Sequence, residues 1–149
     1  VPHRRRGADR GGRHVSFELR DHTADVAVAA EGGTLGETFA AVADGLAAAI
    51  CDEAPEGGDR YPVGVHGEGR EALLLDYLDD LIYQGDIESV LPVGNEAEVF
   101  FRGEWILRGS FRGVPLSRVD VRELKAVTYS ELSLDRTDDG FEAYVLFDV

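Results

Sequence analysis

The residues of this chain that could do chemistry fall in three places. The first is Asp21-His22-Thr23-Ala24-Asp25, where two carboxylates, an imidazole and a hydroxyl stand within five positions. The second is Asp148 beside Val149, at the tip of an otherwise apolar run. The third is Lys125, the sole lysine among 15 basic residues. Carboxylate and main-chain oxygens select hard cations such as calcium, magnesium or manganese, not zinc. Anions gathered at the end of a strand need a counter-charge or must take up a proton. A compact ammonium such as that of Lys125 fits where a planar guanidinium does not, and His22 can orient Asp25 through an outer hydrogen bond. Taken alone, carboxylates ahead of a strand are more often a solvated turn, and Asp25 with Lys125 is also open to reading as an ordinary ion pair. The elements that position these residues therefore matter.

Val26 to Ala30 follows the first cluster directly and reads as a buried strand, with Ser16 to Leu19 as a short strand before it. Glu31-Gly32-Gly33 ends the run, and Thr34-Leu35-Gly36-Glu37 has the form of a capping box. Leu35, Phe39, Val42, Leu46 and Ile50 then recur at helical spacing, which predicts a helix over 35–50 with alanines on its other sides. Tyr61 to His66 alternates as a strand, and Pro62 suits an edge. A second helix opens near Glu68-Gly69-Arg70-Glu71, buries Leu74, Leu78, Leu81 and Ile82, and stops at Gly85. Its Asp76, Asp79 and Asp80 fit a wet face better than a metal cluster.

From Ile87 onward the pattern turns to strands. Glu98 to Arg102 and Trp105 to Phe111 flank a Gly103-Glu104 hairpin turn, and Gly113-Val114-Pro115 reads as a further turn. Leu124 to Leu134 is a long strand candidate, Asp135 to Gly140 a loop, and Phe141 to Val149 the last strand. In that strand Phe141, Ala143, Val145 and Phe147 share one face, while Glu142, Tyr144, Leu146 and Asp148 share the other. The expectation is an α+β fold: a mainly antiparallel sheet with two helices packed on one side.

Composition narrows the function. With 149 residues, 44% hydrophobic and 30% charged, the chain suits one globular domain. No run approaches a membrane span and nothing resembles a signal peptide. The single cysteine, Cys51, cannot form an internal disulfide, which fits a cytoplasmic setting. It follows a helix of alanines and reads as a small buried hydrophobe. Five arginines against Asp9 alone give residues 1–15 a charge of +4, so the rest carries −18 of the total −14. The expected organisation is a disordered basic tail over 1–15 and a single domain over 16–149. So acidic a body repels nucleic acid over most of its surface and suits a metal or a basic protein partner.

The motifs together resemble the archease family. Asp21-His22-Thr23-Ala24-Asp25-Val26 is similar to that family's His-Thr-Ala-Asp signature. The likeness continues through Gly33-Thr34-Leu35, then Glu71 to Leu78 (where tryptophan is commoner than Tyr77), Lys125 to Tyr129, and Leu146 to Val149. It covers residues 16–149 in the family's order. Ser130 departs from it, standing where the family usually has a histidine.

The resemblance implies a small, non-catalytic cytoplasmic accessory protein of the RtcB-type tRNA-splicing RNA ligase. Such a protein promotes guanylylation of the ligase's active-site histidine and its multiple turnover, and some members relax the ligase's nucleotide preference. It implies an α+β fold and a divalent cation, calcium first with magnesium or manganese as alternatives. Asp25 and Asp148 would hold the ion with a further oxygen from Val149, and Lys125 would be the third functional side chain. RNA would be met only through the ligase, and no membrane is involved. Two other readings stay open. One is a general chaperone or modulator of nucleic-acid-processing proteins. The other is a metal-dependent phosphohydrolase, which would also use clustered aspartates and a lysine.

Overall fold

The structure is a computed structural model. It describes residues 4–6, 16–21, 25–51, 53–119 and 128–148, with backbone alone at 4–6, 18–21, 25, 128–129 and 148. Eight strands and two helices follow one another as β1 (Arg4–Arg6), β2 (Ser16–Asp21), β3 (Asp25–Gly32), α1 (Leu35–Ile50), β4 (Asp59–Gly67), α2 (Arg70–Glu88), β5 (Val90–Phe101), β6 (Trp105–Pro115), β7 (Thr128–Thr137) and β8 (Gly140–Asp148). The class is α+β, and every strand pairing among the described residues is antiparallel. The strands divide between two sheets where the sequence suggested one: β1-β2-β3-β8-β7 and β4-β6-β5.

Helix α1 runs over the residues its capping box and apolar stripe predict. Thr34 Oγ1 accepts from the Glu37 amide at 3.1 Å and donates to Glu37 Oε1 at 3.2 Å. The helix packs on β2, β3 and β8 of the larger sheet and on β5 of the smaller one. That double contact explains its alanines. Ala40, Ala41, Ala43 and Ala47 are buried along with Phe39, Val42 and Leu46, because a helix covered from both sides buries most of its circumference. Gly45 serves the same closeness, since a Cβ there would meet Val28.

Helix α2 packs on β4, β5 and β6, and buries Leu73, Leu74, Tyr77, Leu78 and Leu81. Ile82, expected in the stripe, only partly joins the core. Gly85 does not end the helix. It is buried, and a Cβ would lie 2.9 Å from the Val90 carbonyl and 3.2 Å from Pro92 Cδ. Its role is close packing, and the helix ends at Glu88, after which Ser89 takes the left-handed conformation at φ 55°. Asp76 and Asp79 are exposed, in keeping with a wet face, while Asp80 is half-buried and accepts from Gln84 at 2.8 Å.

The 113–115 segment expected as a turn is strand, and the strand expected over 98–102 already runs from Val90. β5 begins at Val90, and its Pro92, Gly94 and Asn95 are absorbed by a bulge between Val93 and Glu96. Asp44 of α1 fixes that bulge, accepting from the Asn95 amide at 3.0 Å and from Asn95 Nδ2 at 2.8 Å. Gly113-Val114-Pro115 closes β6 in register with β5, and the lost side chain at Gly113 makes room for the Tyr61 ring, which stacks on Phe111. Fully buried Phe39, Tyr77, Phe111 and Phe147 anchor the core, and each burial of this kind contributes about 1.5–3 kcal/mol.

Within the tail expected to be disordered, Arg4–Arg6 form β1 and pair with β2, Arg6 lying opposite Glu18. The remainder of that tail lies outside the described residues.

Candidate functional site

Asp25 is the first residue of β3 and Asp148 the last of β8. The two strands are antiparallel neighbours, and the register sets Asp25 directly opposite Asp148. On its other side Asp148 is paired with Thr128, the first residue of β7. Three strand ends therefore meet along one line: Asp25, Asp148, Thr128.

The sequence explains why those ends coincide. Val26, Val28 and Ala30 of β3 oppose Phe147, Val145 and Ala143 of β8. Val28, Ala30, Ala143, Val145 and Phe147 are all buried, and Val26 packs against the same core. A slip by one residue would move this set to the other face, so burial fixes the register strongly. Alternation then places the Asp25 and Asp148 positions on the opposite face, with Ala27, Ala29, Tyr144 and Leu146. A strongly specified apolar register thus positions a polar pair.

Directly opposed like charges destabilise an antiparallel pair. Two aspartates there call for a cation or a shared proton. The donor set, two carboxylates with a hydroxyl-bearing residue alongside, is all oxygen and fits a hard divalent ion. Among the described residues no group of three or more His, Cys, Asp or Glu side chains is arranged to hold a metal. The other candidates, His22, Lys125 and Val149, lie outside the described residues. In sequence they flank the same strand ends: His22 precedes β3 by three positions, Lys125 precedes Thr128 by three, and Val149 follows Asp148.

Thr128 was visible only as part of a long strand candidate, because its alignment with Asp148 depends on non-local register. Ser130, which stands where the family usually has a histidine, also takes its setting from non-local register. The register between β7 and β8 slips between Tyr129 and Glu131, so Ser130 is the extra residue of a bulge, and it is exposed. Bulges of this kind re-aim side chains beside functional sites.

One other concavity stands apart from these strand ends. A cleft of about 430 Å³ lies between α2 and β4, walled by Asp76, Asp79, Asp80, Tyr83 and His66. His66 Nδ1 is 3.3 Å from Glu104 Oε1, and both side chains are well exposed. No described helix is long and apolar enough to cross a membrane.

Residues 17–149 match the model of the Archease protein family (MTH1598/TM1083). Protein archease of Pyrococcus furiosus is 33% identical over 129 residues, covering 83% of this chain and 91% of that protein. Protein archease of Archaeoglobus fulgidus is 33% identical over 138 residues, covering 91% and 100%. The solution structure of Methanobacterium thermoautotrophicum protein 1598 superposes with a TM-score of 0.74 at 28% identity, over 89% of this chain and 98% of that one. With a match over nearly its whole length, in sequence and in fold, this chain belongs to the archease family.

Proposed function

We propose that this protein is a non-catalytic accessory factor of an RtcB-type tRNA-splicing RNA ligase. In this reading it promotes guanylylation of the ligase, restores its multiple turnover and bears on its nucleotide preference. Family membership supports the accessory role. The observation that carries the site is the register pairing of Asp25 with Asp148.

The division of labour follows from the residues. Asp25 and Asp148 hold a divalent cation, calcium or else magnesium or manganese, with a further oxygen from Val149. The bound ion supplies positive charge where the two carboxylates would otherwise repel each other. Lys125 supplies a monovalent charge that can neutralise phosphate, and His22 orients Asp25. The ends of β3, β7 and β8 form the docking corner, held by the core-facing residues of the same strands. The rest of the surface is strongly acidic, with a chain net charge of −14. That disfavours RNA over most of it and favours a basic partner surface, with RNA met through the ligase. Function in the cytoplasm accords with the single free cysteine, which is buried.

The direct test is label transfer from GTP to the cognate ligase. Purified ligase with manganese should be guanylylated faster with this protein than without it. Equal rates with and without the protein would refute the role.

A further inference from the structure

The hairpin between β5 and β6 carries two arginines on one aromatic ring. Arg102 and Arg108 place their guanidinium carbons 5.9 and 5.8 Å from the centre of the Phe100 ring. Both arginines are exposed, and among the described residues neither forms an ion pair with a carboxylate. Carboxylates are at hand. Glu98 is the register partner of Arg108, and Glu104 lies in the turn, where it pairs with His66 instead. In a chain of 29 acidic and 15 basic residues, two guanidiniums held on a ring in this way are ready for an outside anion.

The tip also supplies an apolar surface. Phe101 is 60% exposed, and the Trp105 indole holds it edge-on at 5.3 Å and 65°. Gly103 turns the chain at φ 73°, and the Arg102 amide donates to the Glu104 carbonyl at 2.9 Å, so the turn is tight. Among the described residues the other exposed large hydrophobics, Tyr83 and Ile87, belong to α2. One ring is too small a centre for a protein interface, which buries about 800 Å² on each side. It is the size of one base. An exposed ring with arginines beside it offers a single strand of nucleic acid a face for stacking and charge for its backbone.

The hairpin stands clear of the strand ends that carry Asp25 and Asp148. Strand β3 passes α1 from Gly32 beside Thr38 to Val28 beside Gly45, and Asp25 lies three residues further on. At the start of α1, a Cβ on Gly36 would collide with β5 at Ala97 and Glu98, three residues short of Phe101. The two regions therefore lie beyond opposite ends of α1, on the order of 30 Å apart. A ligase docked at the strand ends leaves the hairpin open.

We propose that the β5–β6 hairpin tip binds a short single-stranded segment of RNA. One base stacks on Phe101, and Arg102 and Arg108 meet the adjoining phosphates. This goes beyond the proposed function, in which RNA is met through the ligase, and rests on that reading only for bringing RNA within reach. The acidic body repels RNA elsewhere, so the contact is short and the two arginines set its charge.

The test uses the full chain without ligase. A short fluorescein-labelled oligouridine is titrated at low salt, and a short acidic peptide containing phenylalanine is titrated separately. Arg102→Ala and Arg108→Ala each weaken RNA binding about tenfold and each lower the slope of its salt dependence by about 0.7. Phe101→Ala weakens it about tenfold with the slope unchanged, and Phe101→Tyr retains it. Arg136→Ala, at an exposed arginine of the other sheet, changes it by less than about twofold. Absence of RNA binding by wild type overturns the proposal, as does a loss in Arg136→Ala equal to that in Arg102→Ala. Tighter binding of the peptide than of the RNA overturns it in favour of a protein ligand. Guanylylation of the ligase is scored separately. Absent RNA binding with guanylylation still promoted removes the hairpin site and leaves the accessory role standing, and the reverse result leaves the site and removes the role.

Discussion

Asp25 and Asp148 are direct register partners across β3 and β8. Opposed residues of an antiparallel pair have Cβ atoms about 4.5–5.5 Å apart, so two ionised carboxylates placed there repel. The repulsion makes a bound cation a source of stability. In thermal melts, calcium should raise the wild-type midpoint above that in chelator, and Asp25→Asn or Asp148→Asn should abolish the rise. An ion present at about a hundred times its dissociation constant adds about 2.7 kcal/mol. In chelator, either variant should be at least as stable as wild type, because it removes the like-charge pair. A wild-type midpoint indifferent to calcium, magnesium and manganese would contradict the metal reading.

The Asp44–Asn95 contact joins α1 to the bulge of β5. Asn95 is fully buried, and Asp44 accepts both from its amide and from its side chain. Asp44→Ala leaves those donors without this acceptor and should cost about 1–3 kcal/mol in urea denaturation. Asp44→Asn keeps a carbonyl oxygen and should cost less. Equal losses in the two variants would mean that the charge, not the acceptor, holds the bulge.

Gly85 separates two explanations of one residue. As a helix terminator it should tolerate alanine, and the gain in helix propensity would be about 1 kcal/mol. As a packing glycine it should not, because the added Cβ would press on the Val90 carbonyl and on Pro92. Overpacking of this kind costs about 1–3 kcal/mol. Gly85→Ala should therefore be a net loss, read as a lower denaturation midpoint. A raised midpoint would show that β5 yields easily and that the close approach is incidental.

Local signals in the sequence were enough for the elements they govern. Thr34 and Glu37 with the stripe from Leu35 to Ile50 define α1, and the alternation from Phe141 to Phe147 defines the faces of β8. What could not be read depends on partners distant in the chain. The bulge at Val93 to Glu96 within β5 is held by Asp44, which is 51 positions from Asn95. Gly85 looks like a stop until Val90 and Pro92 are seen against it. The split into two sheets has no local signature, because α1 shows only that most of its circumference is buried. At the site, Asp25 and Asp148 are legible as residue types at strand ends. Their direct opposition is set by register between separate strands.

The measurement that tests the central claim most directly is multiple-turnover RNA ligation by the cognate RtcB-type ligase with GTP and manganese, this protein being substoichiometric. Wild type should convert a single-turnover reaction into a sustained one. Asp25→Ala, Asp148→Ala and Lys125→Ala, each confirmed as folded, should lower that stimulation at least about tenfold, the effect of losing one charge-assisted contact. Stimulation undiminished in all three variants would contradict the assignment of the site, and no stimulation by wild type would contradict the accessory role itself.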